Sequence, residues 1–368
     1  NLDGFLMFQS AAGDGTPIDA EEAAIRARWE PLAEVMQHKG DSECMLGGDT
    51  TDEACGFEKL PYSDFGGANL SFFSDAPPPA PTQTVREALK TGLALERTLG
   101  TNPFRYGILA STDTHLGTPG LVSETDFPGH GGAGIPLEGP ELPPLLDRPE
   151  FGPGGLAVVW AEENSRDSIF AAMQRRETYG TSGTRPEVRF FGGTDLADAL
   201  CQKPDWVEKA YATGVPMGGS ISAGETAPRF VVSALRDPAA AASPLQRIQI
   251  IKGWVDEAGA THETVVDVAG GPNDATVDLA TCERSGDGHG QLCAEWQDPD
   301  WTAGESAFYY ARVLENPSCR WTQHVCAARS VDCQDPASIP EGLEACCAED
   351  HRPIIQERAW TSPIWVAP

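Results

Sequence analysis

The period of the apolar pattern changes once along the chain, at Pro186, and this change constrains the fold more than any other feature. Before it, short apolar runs alternate with segments of helical periodicity. After it, Arg229 to Leu235, Leu245 to Val255, Thr264 to Val268 and Ala307 to Leu314 alternate or run apolar between Gly, Asp and Pro turns, with β-branched and aromatic content. Helix and strand in alternation predict an α/β unit, and several strand-length segments of period two predict a sandwich. The expected fold class is therefore α/β plus all-β. Residues 1–185 would form the first unit and residues 186–368 a β-sandwich-like second, a division that suits 368 residues better than one core does. Ile248-Gln249-Ile250 and Phe308 to Val313 read as sandwich strands with one buried face.

In the first unit, Asp19 stands three residues before Glu22 and opens a helix through Trp29 that Pro31 stops. Leu32 to Met36 follows as a buried strand, with Gln37 to Glu43 as the polar loop at its carboxyl end. Thr84 and Glu87 cap a second helix whose stripe is Val85, Ala88, Leu89, Gly92 and Leu93, and Gly100 ends it. Tyr106 to Ala110 is the next strand, delivering Ser111-Thr112-Asp113-Thr114-His115 into a Gly- and Pro-rich loop over residues 116–154. A loop of that length in a compact unit serves as a lid or binding loop. Leu156 to Trp160 is a third strand, Ser165 caps a helix over Ile169, Phe170 and Met173, and Tyr179 to Arg185 reads as a tight turn.

Charge excludes some functions. With 26 basic and 55 acidic side chains the net charge is −29, against a nucleic-acid or anionic-membrane binder. The longest apolar runs are strand-sized and far short of the ~20 residues of a membrane helix, so no membrane span is expected. Ten cysteines point to disulfides and to a periplasmic or extracellular setting. Cys44 and Cys55, and likewise Cys282 and Cys293, each bracket a short loop rich in Gly and Asp. A Cys-rich loop over residues 319–347 holds Cys319, Cys326, Cys333, Cys346 and Cys347. None of these spacings is a paired zinc or redox motif, and the connectivity stays open.

Asp113 and His115 carry the sharpest chemical signal. Two positions apart in an extended strand exit, a carboxylate and an imidazole point the same way and can converge on one cation, for which zinc, manganese and iron are suitable. The plainer alternative is a turn-capping aspartate beside a surface histidine. At another strand end, Gln37, His38, Lys39 and Glu43 bring an amide, an imidazole, an ammonium and a carboxylate together, able to relay a proton or hold an anionic oxygen, unless the loop is simply a solvated surface. His130 stands among glycines that let the backbone approach a ligand, and Arg185 in its Gly-rich turn could clamp a phosphate or carboxylate. There is no Gly-x-Ser-x-Gly elbow, phosphate loop or His-Glu-x-x-His helix.

The segments Trp29 to Glu43, Gly107 to Gly120, Arg175 to Arg185 and Glu357 to Trp365 together resemble the bacterial domain-of-unknown-function family thirty-six-oh-four, which is itself similar to the polymerase-and-histidinol-phosphatase (PHP) metallohydrolases. The resemblance implies a distorted PHP-like β/α barrel with a metal centre at its strand ends, followed by a carboxyl-terminal β domain. Asp113 and His115 match the final Asp-x-His metal motif of such enzymes. The earlier His-x-His motif has no counterpart, so the chain resembles the later part of a family member, and an amino-terminal segment is expected as a partner. The activity that the resemblance implies is that of a metal-dependent hydrolase acting on a phosphoester or related small-molecule ester through a metal-activated water. Divalent zinc, manganese or iron would be held by Asp113 and His115. His38, Lys39 and Glu43 would be the catalytic groups, and Gln37, His130 and Arg185 would bind substrate. The alternative is a non-catalytic exported surface or assembly protein on the same scaffold, with a second copy of the chain as its partner.

Overall fold

A computed structural model describes residues 8–11, 15–47, 50–59, 84–114, 117, 119–125, 127, 129, 147, 149–222 and 224–367. His115, His130 and most of the expected lid over 116–154 lie outside the described residues. The first elements are α1 (Ala20–Trp29), β1 (Leu32–Gln37), β2 (Gly40–Asp41), α2 (Val85–Leu99) and β3 (Gly107–Ala110). They are followed by β4 (Leu156–Val159), α3 (Arg166–Gln174), β5 (Thr178–Thr181), β6 (Glu187–Gly193), α4 (Trp206–Thr213), β7 (Val215–Pro216) and β8 (Ser220–Ser222). Next come β9 (Arg229–Leu235), β10 (Leu245–Val255), β11 (Thr261–Gly270), β12 (Thr276–Val277), β13 (Arg284–Ser285) and β14 (Gln291–Gln297). The chain ends through β15 (Ser306–Glu315), β16 (Ser318–Cys319), α5 (Trp321–Ala328), β17 (Ile354–Ile355), β18 (Arg358–Thr361) and β19 (Ile364–Ala367).

The helices begin and end where local chemistry dictates. Asp19 accepts a hydrogen bond from the Glu22 amide at 2.9 Å, Thr84 caps α2 through the Glu87 amide, and Gly100 closes α2 in the left-handed region at φ 73°. The stripe Val85, Ala88, Leu89, Gly92 and Leu93 is buried as its spacing predicts, and Arg86 and Lys90 are buried with it.

Two sheets pack against each other across one apolar core. The larger runs β11-β10-β15-β18-β5-β4, with β19 joining β15 and β8 joining β19; the smaller runs β14-β9-β6-β7. Between them lie Phe190, Phe230, Val232, Ile248, Ile250, Tyr309, Ala311 and Val313. On the other face of the larger sheet, α2 and the β2-β1-β3 sheet bury Val35, Leu89, Ile108, Ile251, Phe308, Tyr310 and Trp360. Successive residues of β15 thus face opposite cores. β10 and β15 are covered on both faces, which corrects the expectation of one buried face and accounts for their near-continuous apolar runs.

The segment expected as a tight turn at Tyr179 is instead strand β5, paired with β4 on one side and β18 on the other; only the residues after Thr181 turn. That pairing also places strands from both sides of residue 185 in one sheet. Among the described strands no sheet closes into a barrel: the parallel pairs are β1 with β3 and β19 with β8.

Five disulfides use all ten cysteines: 44–55, 201–293, 282–319, 326–346 and 333–347. Cys282 and Cys293, neighbours in sequence, pair with different partners, because β14 carries Cys293 to the turn at Cys201 while Cys282 meets β16. Such a density of disulfides marks a protein of an oxidising, non-cytoplasmic compartment. Among the described residues no helix is long and apolar enough to cross a membrane.

Candidate active site

β1 and β3 run parallel, with Leu32 opposite Gly107 and Met36 opposite Ala110, so both carboxyl ends open on the same side. In α/β sheets this is where functional side chains collect, because the backbone fans into loops there. Beyond the paired residues the ladder continues into the loops: the Ser111 amide donates to the Met36 carbonyl at 2.9 Å and the His38 amide to the Thr112 carbonyl at 3.3 Å. A third segment locks the two ends, since the Gly152 amide donates to the His38 carbonyl and the Gly155 amide to the Ser111 carbonyl. Gly154 sits at φ 85°, and a Cβ there would lie 2.8 Å from Thr112 Cα, so only glycine allows this approach.

Gln37, His38, Lys39 and Asp113 meet at these ends. Asp113 adopts φ 52°, a left-handed conformation that aspartate tolerates better than most residues. Its Oδ2 accepts from Lys39 Nζ at 2.5 Å and from Gln37 Nε2 at 3.2 Å, and lies 3.6 Å from His38 Nδ1. Gln37 Oε1 in turn accepts from the Lys39 amide at 2.9 Å. The His38 side chain is fully buried against the edge of Phe151, whereas Asp113 is 34% exposed, so the carboxylate is the group that solvent or substrate reaches. His38 Nδ1 lies 3.1 Å from the Thr112 carbonyl. A carbonyl only accepts, so this contact is a hydrogen bond with a proton on Nδ1.

Glu43 is elsewhere. Its Oε1 takes hydrogen bonds from Arg86 Nη2 at 2.6 Å, Tyr310 at 2.5 Å and Arg312 Nη1 at 3.0 Å, and its Oε2 from Trp360 Nε1 at 2.7 Å. Asp52, Glu263 and Lys90 complete this buried network between α2 and the large sheet. Burial alone would raise the Glu43 pKa, but the guanidiniums of Arg312 and Arg86 and the Tyr310 hydroxyl outweigh it and hold the carboxylate well below its ordinary range. Its charge is fixed and its oxygens are occupied, so the expected role in proton transfer is replaced by a structural one. The loop from Gln37 to Glu43 is correspondingly buried rather than solvated, with Lys39 alone half-buried.

Arg185 also lies apart from Asp113. It is exposed, donates from Nη2 to the Gly120 carbonyl at 3.3 Å, and lines a different cavity, one that also holds Glu124, Glu315 and Glu357. The buried charges Arg86, Arg312, Asp52 and Glu263 were missed in the sequence. The available signal was Arg312 inside the apolar run Phe308 to Leu314, a cation that a doubly covered strand must neutralise.

Among the described residues, the group of potential ligands drawn close together is Cys44, Asp52 and Cys55. The two sulfurs are bonded to each other and are therefore not thiolate ligands. Carboxylate and imidazole side chains, the types found at these strand ends, are chemically suited to a divalent ion of the zinc, manganese or iron type.

The architecture defines a mixed α/β protein built mostly of sheet, with its polar cluster at parallel strand ends. The chain belongs to the family described as protein of unknown function (DUF3604), whose model matches residues 1–368. No curated protein and no solved structure matches it.

Proposed function

We propose that the chain carries part of the centre of a metal-dependent hydrolase acting on a phosphoester or related ester, on a PHP-like scaffold in which β1 and β3 are barrel strands. The observation that carries this reading is the convergence of Gln37, His38, Lys39 and Asp113 at the carboxyl ends of two adjacent parallel strands. Asp113 and His38 would hold the ion, joined by His115 on the strength of the Asp-x-His match. A bound divalent cation supplies Lewis acidity and lowers the pKa of water toward neutrality. Lys39 holds the Asp113 carboxylate in place and offers an ammonium to an anionic ester oxygen. Gln37 orients both, by donating to Asp113 and accepting from the Lys39 amide. The disulfides support a periplasmic or extracellular location.

Replacing Asp113 by Ala removes the carboxylate on which three side chains converge. Ester hydrolysis by the purified protein is expected to fall at least ~100-fold while the two packed sheets remain folded by circular dichroism. Undiminished hydrolysis would remove Asp113 from the centre. One observation favours the non-catalytic scaffold as a second reading: Lys39 already neutralises Asp113 within this chain. That reading predicts no hydrolysis of any ester by the wild-type protein.

A further inference from the structure

Glu315 is the last residue of β15, and Glu357 immediately precedes β18. Leu314 pairs with Arg358, and the Glu315 amide donates to the Glu357 carbonyl at 2.9 Å, so the ladder sets the two glutamates directly opposite each other. Residues so placed point to the same face, and like charges there repel. Both are buried, at 1% and 4% exposure. Glu124 approaches from the described part of the long loop, residues 119–125, where its Oε2 accepts from the Trp321 amide, and Glu357 Oε2 accepts from the Ser182 hydroxyl. The three carboxyls line one cavity of about 100 Å³.

Both carboxyl oxygens of Glu315, Oε1 of Glu124 and Oγ1 of Thr184 are buried and make no hydrogen bond; the Thr184 hydroxyl and the Ser243 amide lie near Glu315 without reaching bonding geometry. The same region neutralises another buried glutamate fully, since Glu58 receives Arg320 from Nε and Nη2 at 3.0–3.2 Å. Around Glu315 the nearest donors, the Thr184 hydroxyl and the Ser243 amide, stop short of hydrogen-bond geometry, and both carboxyl oxygens stay buried beside open space. Acceptors that no donor reaches are completed by a cation.

We propose that this cavity binds a hard divalent cation of the calcium type, held by Glu315 and Glu357, with Glu124, Thr184 and water completing an all-oxygen shell. Carboxylate and hydroxyl oxygens are hard donors and favour a hard ion over softer ones. Calcium takes six to eight oxygens in a flexible geometry that includes water, whereas magnesium demands a strict octahedron that two or three carboxyls on separate segments do not supply. The net charge of −29 draws cations toward the molecule.

Protonation fits the same picture. Burial first, then neighbouring acids, pushes Glu315 up to about 7, Glu124 up to about 8 and Glu357 well above the ordinary range. The charged groups facing them are Arg320 and Glu58 beside Glu124, Asp237 and Arg236 beside Glu315, and Glu58 beside Glu357, with Arg185 and His324 on the cavity wall. The cavity is distinct from the strand-end site: a Cβ at Gly183 would touch Glu357 Oε1 at 3.5 Å and the Gly154 carbonyl at 3.7 Å, placing the Gly154 backbone between the two.

The test is a thermal-unfolding titration of the chelator-treated full chain with calcium chloride at about pH 8, with magnesium chloride as control. Calcium raises the midpoint in wild type and in Asp113→Ala, and Glu315→Gln weakens calcium affinity about tenfold or more. Glu124→Gln provides a second, smaller weakening that does not depend on Glu315→Gln folding well. No calcium-dependent shift in wild type up to ~10 mM overturns the proposal, as does equal affinity in Glu315→Gln or an equal response to magnesium.

Discussion

At the scale of single residues, the same short segment yields two different outcomes. Gln37, His38, Lys39 and Glu43 read alike in sequence, yet the first three gather at Asp113 while Glu43 turns into the core and meets Arg86 and Arg312. The strand-end cluster was legible because it depends on local order: a strand ends, and the next residues must sit at its mouth. The fate of Glu43 was not, because its partners come from α2 and from β15, and no local pattern announces them. Arg312 is the stringent point of that network, binding Glu43, Asp52 and Gln249 while fully buried. Arg312→Met would strand two carboxylates without a full complement of cations, and a loss of ~3–5 kcal/mol in urea unfolding is expected. A loss below ~1 kcal/mol would mean that the network relaxes or takes up water, contrary to its close burial between α2 and the sheet.

At the scale of elements, α1, α2 and α3 were legible nearly to the residue because their ends are set by side chains close in sequence, whereas α4 was not anticipated and α5 falls in the segment expected as a Cys-rich loop. Thr84 and Gly100 bound α2 as read, and Thr84→Ala is expected to cost about 1 kcal/mol in denaturant unfolding. An unchanged midpoint would show that tertiary packing alone holds that end. Strands β9 and β10 also fall where their apolar runs place them. β5 was hidden because Gly180, Thr181 and Ser182 are turn formers by composition. Gly180 is needed there for another reason: a Cβ would come within 2.8 Å of the Leu109 backbone, where β5 crosses β3 closely. The pairing of Cys201 with Cys293, 92 residues apart, was invisible for the reason that hid the Glu43 network.

At the scale of the whole molecule, the change of period at Pro186 separates two styles of sequence, yet β4 and β5 share a sheet with β10, β15 and β18, so the core is continuous across it. Whole-molecule electrostatics give a prediction of definite sign. Glu43 and Asp52 have pKa values held below those of the unfolded chain, because cations outweigh their burial, so their stabilisation is complete above about pH 4.5 and is lost as the pH falls. Glu315 and Glu124 are raised to about 7 and about 8, so the native state favours their protonated forms, and stability is lost as the pH rises from about 4.5 through those values. His351, held below its ordinary pKa by burial, acts in the opposite sense but is only half-buried. Without calcium the unfolding midpoint is therefore expected to peak near pH 5, roughly between the two groups, and Glu315→Gln should flatten the alkaline limb. A peak at or above about pH 7 would contradict this balance. Elemental mass spectrometry of protein purified without added metal tests for the proposed metal-dependent hydrolase centre at the ends of β1 and β3. About one or more equivalents of zinc, manganese or iron per chain are expected, lost in Asp113→Ala. Wild-type protein without transition metal, or an Asp113→Ala variant with undiminished metal content, would contradict it.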